Sequence, residues 1–285
     1  MNKKSNEELQ KLVEKATAGD KDSLETIILS VQDLVFNLSL RMLGTFPDAE
    51  DATQDILLKM ITHLSSFRGD SSFTTWVFRI AVNHLKNYKK HMFAKMPLNF
   101  AFYGEDIRNG KIDDVPDLTQ NVEMSILAEE LKMSCTNVML QCLDTESRCI
   151  FILGTMFKVD SRIAGDILGI SPEAYRQRLS RIRGKMADFL REYCGEYGNG
   201  TCRCADRVNY AIQNHRISPD RLNFADAVPT VIPVETMVEV KEAMEDIDNL
   251  SQEFSFCKTY QSPASLKVFL QNFLDGTSFS VVRNA

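Results

Sequence analysis

Apolar residues recur at three- and four-residue spacing along most of this chain, and strand-type alternation is scarce. Leu9 to Ala16 and Leu24 to Leu43 carry the pattern first, and Gly44 ends the second run. Pro47-Asp48 opens a third helix that runs to about Ser66, with Asp48 placed as its N-cap and Glu50 and Asp51 favourable in its first turn. Gly69-Asp70-Ser71-Ser72 reads as a loop, and a further helix covers about Thr74 to Lys90. From Met96 to about Thr119 the periodicity dissolves into a stretch with two prolines, two glycines and an acidic bias, which predicts a linker. Helices resume at about Val122, and Asp144 is placed to cap "TESRCIFILGTMF". After Tyr193 come a cysteine- and glycine-rich loop and a weakly acidic tail, with amphipathic periodicity in "VETMVEVKEAMEDIDNLSQEF" and "SLKVFLQNFL". The pattern predicts an all-α protein: helical domains over 1–95 and 122–193, a linker over 96–121, and a mostly helical extension over 194–285.

Composition narrows this picture. A chain of 285 residues has room for two domains and a small third element. Its 44% apolar and 25% charged content is that of a soluble globular protein. There is no unbroken apolar run of about eighteen residues, so no membrane span is expected. "MNKKSNEELQ" lacks the apolar stretch of a secretion signal. Seven cysteines form no apparent disulfide framework, so reduced thiols in a cytoplasm are expected. A net charge of -6 excludes a coat of basic charge over the whole chain, but not a local basic patch.

Such a patch stands in "VDSRIAGDILGISPEAYRQRLSRIRGKM". Asp160 starts a short helix, Gly169 makes the turn, and Ser171-Pro172 gives an N-cap followed by proline at the first helical position. On the second helix Tyr175, Leu179, Ile182 and Met186 share the buried face. Glu173, Gln177 and Ser180 point the opposite way, with Arg176 and Arg183 on one shoulder and Arg178, Arg181 and Lys185 on the other. Short polar groups on the crest and cations on both flanks suit a major groove, where the crest meets base edges and the flanks meet phosphates. A solvated basic helix has the same charge; the glycine turn, the cap and the preceding short helix favour the DNA-binding helix-turn-helix.

"FRGDSSFTTWVFRIAVNHLKNYKK" is the second informative stretch, mixing aromatics, including the only tryptophan, with basic residues. Phe73, Trp76, Val77 and Ile80 are spaced three and four apart and read as a buried face. Phe67-Arg68-Gly69-Asp70, Phe73, Thr75-Trp76, Arg79-Ile80-Ala81 and Asn83 resemble conserved region 2 of the bacterial RNA polymerase sigma factors of the extracytoplasmic-function type. "DAEDATQDILLKM" is similar to that family's polymerase-binding helix, and "LGIS" with "YRQRLSRIR" resembles region 4, the reader of the -35 promoter element. The resemblance covers about Leu24 to Tyr193. Region 4 departs from the family at Ala164-Gly165, where an Ile-Ala pair is usual, and Gly165 costs roughly 1 kcal/mol of helix propensity against alanine.

The resemblance implies a non-enzymatic factor that binds core RNA polymerase, opens the -10 element with region 2 and reads the -35 element with region 4. It implies that the Phe67–Phe73 loop and Asn83 hold a base flipped from the non-template strand, with stacking on aromatics offsetting the unstacking. Lys86, Lys89 and Lys90 would then follow the phosphates. It also implies that Asp48, Glu50, Asp51, Gln54 and Asp55 face the polymerase. Promoter DNA and core polymerase are the expected partners, with an anti-sigma factor as a further candidate and no cofactor. Two rival readings stand beside it: a helix-turn-helix regulator that never touches polymerase, and a cysteine-metal hydrolase.

Cys135, Cys142 and Cys149 are seven apart, but a helix break near Asp144 intervenes, so they read as small core residues. Cys194, Cys202 and Cys204 gather in "YCGEYGNGTCRCADR". Their spacing fits no standard zinc site unless His215 or Cys257 adds a ligand, so metal, a redox switch and plain packing all stay open. His63 and His84 read as helix-surface residues. The tail's two amphipathic runs predict helices that pack ordinarily, fold back on the basic helix or receive another protein.

Overall fold

The structure, a computed structural model, describes residues 3–88, 93, 98–110, 117–224, 229–230 and 259–275. Helix α1 (Lys3–Thr17) precedes α2 (Lys21–Leu43), the central helix of the N-terminal half. On length and composition α2 could cross a membrane, a property that counting unbroken apolar runs does not detect. Most of it lies inside the protein, as in a core helix. Gly44 ends it in the left-handed region (φ 89°), and its amide donates to the Leu40 carbonyl at 2.8 Å.

Helix α3 (Phe46–Thr62) starts three residues earlier than an N-cap at Asp48 would place it. Thr45 is its N-cap: its hydroxyl accepts from the Asp48 amide at 3.3 Å and donates to the Asp48 carboxylate at 2.7 Å. Asp48 therefore sits in the first turn, as the acidic partner of a reciprocal cap. A 3₁₀ turn (Leu64–Ser66) leads to the Phe67–Ser72 loop. Ser72 caps α4 (Phe73–Asn87), accepting from the Thr75 amide at 3.1 Å.

The stretch read as a linker holds α5 (Phe100–Asn109). Asn99 caps it by accepting from the Phe102 amide at 2.8 Å. Its aromatics supply the packing that periodicity did not reveal: Phe100 and Tyr103 lie 5.1 and 5.7 Å from the Phe189 ring. Helix α6 (Met124–Gln141) follows, then α7 (Thr145–Phe151), capped by Asp144, and a single π turn (Ile152–Met156). Helices α8 (Ser161–Leu168) and α9 (Pro172–Tyr193) form the expected helix-turn-helix, capped by Asp160 and Ser171, with Gly169 left-handed between them (φ 70°). Gly165 has a stereochemical reason. A Cβ there would stand 2.7 Å from the Ile170 carbonyl oxygen, so the close approach of the turn requires glycine.

Beyond α9 lie α10 (Val208–Gln213), the antiparallel pair β1 (Pro229–Thr230) and β2 (Thr259–Tyr260), and α11 (Ala264–Asp275). The regular structure of the described residues is thus almost entirely helical, and the all-α class stands. The first amphipathic run of the tail, 234–254, lies outside the described residues; the second is α11. One apolar cluster runs from Val13 through Leu85 and Leu140 to Leu190 and joins the two halves. A buried guanidinium ties them as well: Arg148 donates to the Met42 carbonyl of α2 at 2.6 Å and to the Leu140 and Leu143 carbonyls, each at 2.9 Å.

Candidate functional site

The Phe67–Phe73 loop closes on itself through rings. Phe67 lies 5.4 Å from Phe73 and 5.6 Å from Trp76, and Phe73 lies 5.7 Å from Trp76. Their exposure reverses the expectation. Phe73, expected to touch a base, is 0% exposed and forms the floor of the trio. Trp76, expected in the core, is half-buried, as are Phe67 and Ile80. The buried face of α4 is instead Phe73, Val77, Phe78, Ala81 and Leu85. Trp76, Ile80, Asn83 and Asn87 follow one another at spacings of four, three and four along an outer stripe, and Asn83 and Lys86 are exposed. Lys89 and Lys90 lie outside the described residues.

Below that stripe lies a cleft of about 670 Å³, lined by Asp55, Lys59, His63, Ile80, Asn83, His84, Asn87 and Tyr88. It brings Asn83 and Asp55, from the DNA and polymerase sets, to one place. His84 is no free surface residue: Lys59 Nζ donates to its Nδ1 at 2.7 Å, and its Nε2 is 3.7 Å from the Asp55 carboxylate. Along α3, Asp51 is exposed and Asp48, Glu50, Gln54 and Asp55 are half-buried. The Glu50 carboxylate accepts a hydrogen bond from the Ser265 hydroxyl at 2.9 Å, a contact from the far end of the chain that nothing in the sequence signals.

On α9, Tyr175, Leu179, Ile182 and Met186 are buried, and Glu173, Gln177 and Ser180 are exposed. Arg176 and Arg181 are exposed and Arg178 half-buried, each with its own protein partner. Arg176 pairs with Glu173 at 3.1 Å and donates to Ser161 Oγ at 3.0 Å, while Arg178 pairs with Glu146 at 2.6 Å. Arg181 bonds the Gln177 carbonyl, and Lys185 stands 4.9 Å over the Phe100 ring of α5. Arg183 departs from the phosphate role. It is 8% exposed and donates to Thr155 Oγ1 at 2.9 Å and to the Gly154 carbonyl at 3.1 Å. These acceptors belong to the π turn, so the guanidinium is a structural tie from α9 to the end of α7.

The cysteine loop packs closely on the end of α9. A Cβ at Gly200 would meet the Tyr193 backbone at 2.0 Å, and one at Gly195 would meet the Gly200 carbonyl oxygen at 2.7 Å. Among the described residues, no group of three or more His, Cys, Asp or Glu side chains has an arrangement that could hold a metal ion. Burial pushes the Cys204 thiol up to about 12 and raises that of Cys202; burial also lifts Cys135, Cys142 and Cys149 to about 12. Thiols so protonated are poor nucleophiles. Cys257 lies outside the described residues.

Comparison with known proteins supplies the frame. Residues 27–91 match the family model for sigma-70 region 2. The chain is 40% identical over 126 residues to the ECF RNA polymerase sigma-E factor of Escherichia coli strain K12, covering 43% of this chain and 63% of that protein. It is 31% identical over 128 residues to the RNA polymerase sigma-H factor of Pseudomonas aeruginosa, covering 44% and 65%. The chain therefore spans just under two thirds of the length of these curated relatives. A solved structure of CnrH in complex with the cytosolic domain of CnrY aligns at a TM-score of 0.46 with 20% identity, covering 63% of this chain and 94% of that one. The chain thus carries a match to sigma-70 region 2 that contains the aromatic loop and Asn83, and over about 126 residues it is similar to sigma-E factors of the extracytoplasmic-function type.

Proposed function

We infer that the chain binds core RNA polymerase and directs it to promoters, region 2 engaging the -10 element and the helix-turn-helix the -35 element. The observation that carries this is the order of the parts: a region 2 match over 27–91, followed by a fully capped helix-turn-helix whose polar crest, Glu173, Gln177 and Ser180, faces solvent. The residues offered to DNA in region 2 are Phe67, Trp76, Asn83 and Lys86, with Phe73 as their support. In the helix-turn-helix they are the crest with Arg176, Arg178, Arg181 and Lys185. Asp48, Glu50, Asp51, Gln54 and Asp55 are offered to the polymerase. Such a factor acts in the cytoplasm and performs no catalysis of its own, and an anti-sigma factor is a natural third partner.

Run-off transcription with core polymerase on genomic fragments tests the reading. Discrete start sites that require this chain are expected. Promoter binding without polymerase binding would instead make it a helix-turn-helix regulator.

A further inference from the structure

The C-terminal segment is built onto α2 and α3 by specific bonds. Asn37 of α2 is 1% exposed and pairs with the Tyr260 backbone as a neighbouring strand would. Its Nδ2 donates to the Tyr260 carbonyl at 2.7 Å, and its Oδ1 accepts from the Tyr260 amide at 2.9 Å. One turn earlier, the Asp33 carboxylate accepts from both the amide and the hydroxyl of Ser262, each at 2.8 Å. Gln32 bonds Ser262 Oγ as well, and Lys21 Nζ donates to the Leu274 carbonyl at 2.7 Å. Thr259–Asp275 thus lies along α2 and α3.

Its apolar side chains cover the start of α3. Tyr260 and Leu266 are wholly buried in a cluster with Phe36, Leu40, Ala49, Met133 and Phe224. Phe46, the first residue of α3, is ringed by Phe36 at 5.7 Å, Phe224 at 5.2 Å and Tyr260 at 6.1 Å. Ala49 is 0% exposed beneath the tail, and Glu50 is bonded to Ser265. The covered turn holds Asp48 and Glu50, two of the acidic residues offered to the polymerase, and leads directly into the exposed Asp51.

We propose that Thr259–Asp275 is a built-in competitor for the polymerase-binding face of α3, so that core polymerase takes this face only when the tail leaves it. The proposal rests on the polymerase reading of α3. A tail docked about nine tenths of the time lowers apparent affinity about tenfold. It also gives the chain a regulatory input of its own, since anything that binds the released tail favours the polymerase-competent form.

Two full-length variants on the tail side test this. Ser262→Asp sets a second carboxylate against Asp33, and Leu266→Asp places a charge in the buried cluster. Hydrogen exchange at the Tyr260 and Ser262 amides reports docking directly, because their acceptors are Asn37 and Asp33. Circular dichroism verifies the helices, and a titration of labelled protein with core polymerase gives affinity. Affinity should rise in the same order as amide exchange, reaching about tenfold or more in the fully released variant. Release of the tail at unchanged affinity would overturn the proposal. If neither wild type nor variants bind core polymerase while their helices are intact, the polymerase reading itself fails, and the competitor with it.

Discussion

At the scale of single residues, the pairs that looked interchangeable in sequence have separate jobs. Phe73 and Trp76 lie three apart in one helix, but Phe73 is core and Trp76 is half open. Phe73→Ala should therefore lower stability by about 3–5 kcal/mol in thermal unfolding. Trp76→Ala should cost less stability than Phe73→Ala and Asn83→Ala little, and both should leave polymerase binding nearly intact and reduce promoter opening, seen as weaker permanganate reactivity of unpaired thymines. Unchanged reactivity in both would remove the outer stripe from base binding. Arg176 and Arg183 divide in the same way. Arg176→Ala should lose roughly 1–3 kcal/mol of discrimination among -35 variants, whereas Arg183→Ala should lower the unfolding midpoint and weaken all sequences alike. The stripe was not legible, because three- and four-residue spacing joins Trp76 and Ile80 to Phe73 and Val77, and only packing separates the two faces. Nor was the burial of Arg183, because it depends on acceptors in a π turn that no periodicity reveals.

At the scale of elements, caps and turns were the most readable features, since each rests on local stereochemistry. Asp144, Asp160, Gly169 and Ser171-Pro172 all do what their residue types predict. Glycine is harder to read, because its reason can lie in a neighbouring segment. Gly165→Ala should destabilise the helix-turn-helix despite alanine's better helix propensity, because the obstructing atom is backbone. Gly184, in the exposed middle of α9, meets nothing within 4 Å, so Gly184→Ala should stabilise by about 0.5–1 kcal/mol. Thermal unfolding of the two variants should thus give shifts of opposite sign.

The link between α5 and the extension carries a pH dependence. Burial alone would raise the Asp106 carboxyl, but hydrogen bonds from Arg216 at 2.5 Å and Tyr210 at 2.9 Å, with the charges of Arg216 and Arg207, hold it below its ordinary value. A depressed carboxylate stabilises the fold above its unfolded value and loses that contribution as pH falls through the folded one. The stability gap between wild type and Asp106→Asn should therefore be constant near neutrality and close on acidification below about pH 4. A gap that persists at pH 2 would exclude Asp106 as its source.

At the scale of the whole molecule, the halves that read as two domains share one core, and the reason is a group that sequence reasoning had no cause to notice. Arg148 looks like a surface residue in the first turns of a capped helix, yet it is 6% exposed. Burial brings its guanidinium down to about 10, so it stays charged at neutral pH. Its donors satisfy the last carbonyls of α2 through Met42 and the carbonyls around the end of α6 through Leu140 and Leu143. One side chain thus closes two helix ends from opposite halves, where each unmet buried carbonyl would cost about 1–3 kcal/mol. Wild-type protein should unfold in a single calorimetric transition. Arg148→Met keeps most of the apolar volume and removes the donors, so it should lower the midpoint by the equivalent of about 3 kcal/mol or more. With the tie gone, the transition should broaden or divide into two, because apolar packing, the half-exposed Arg79–Asp166 pair and the hydrogen bonds of Arg41 with Asn137 and Gln141 are then left to join the halves. A variant that still melts as one sharp transition at the wild-type midpoint would show that the halves are held together without Arg148.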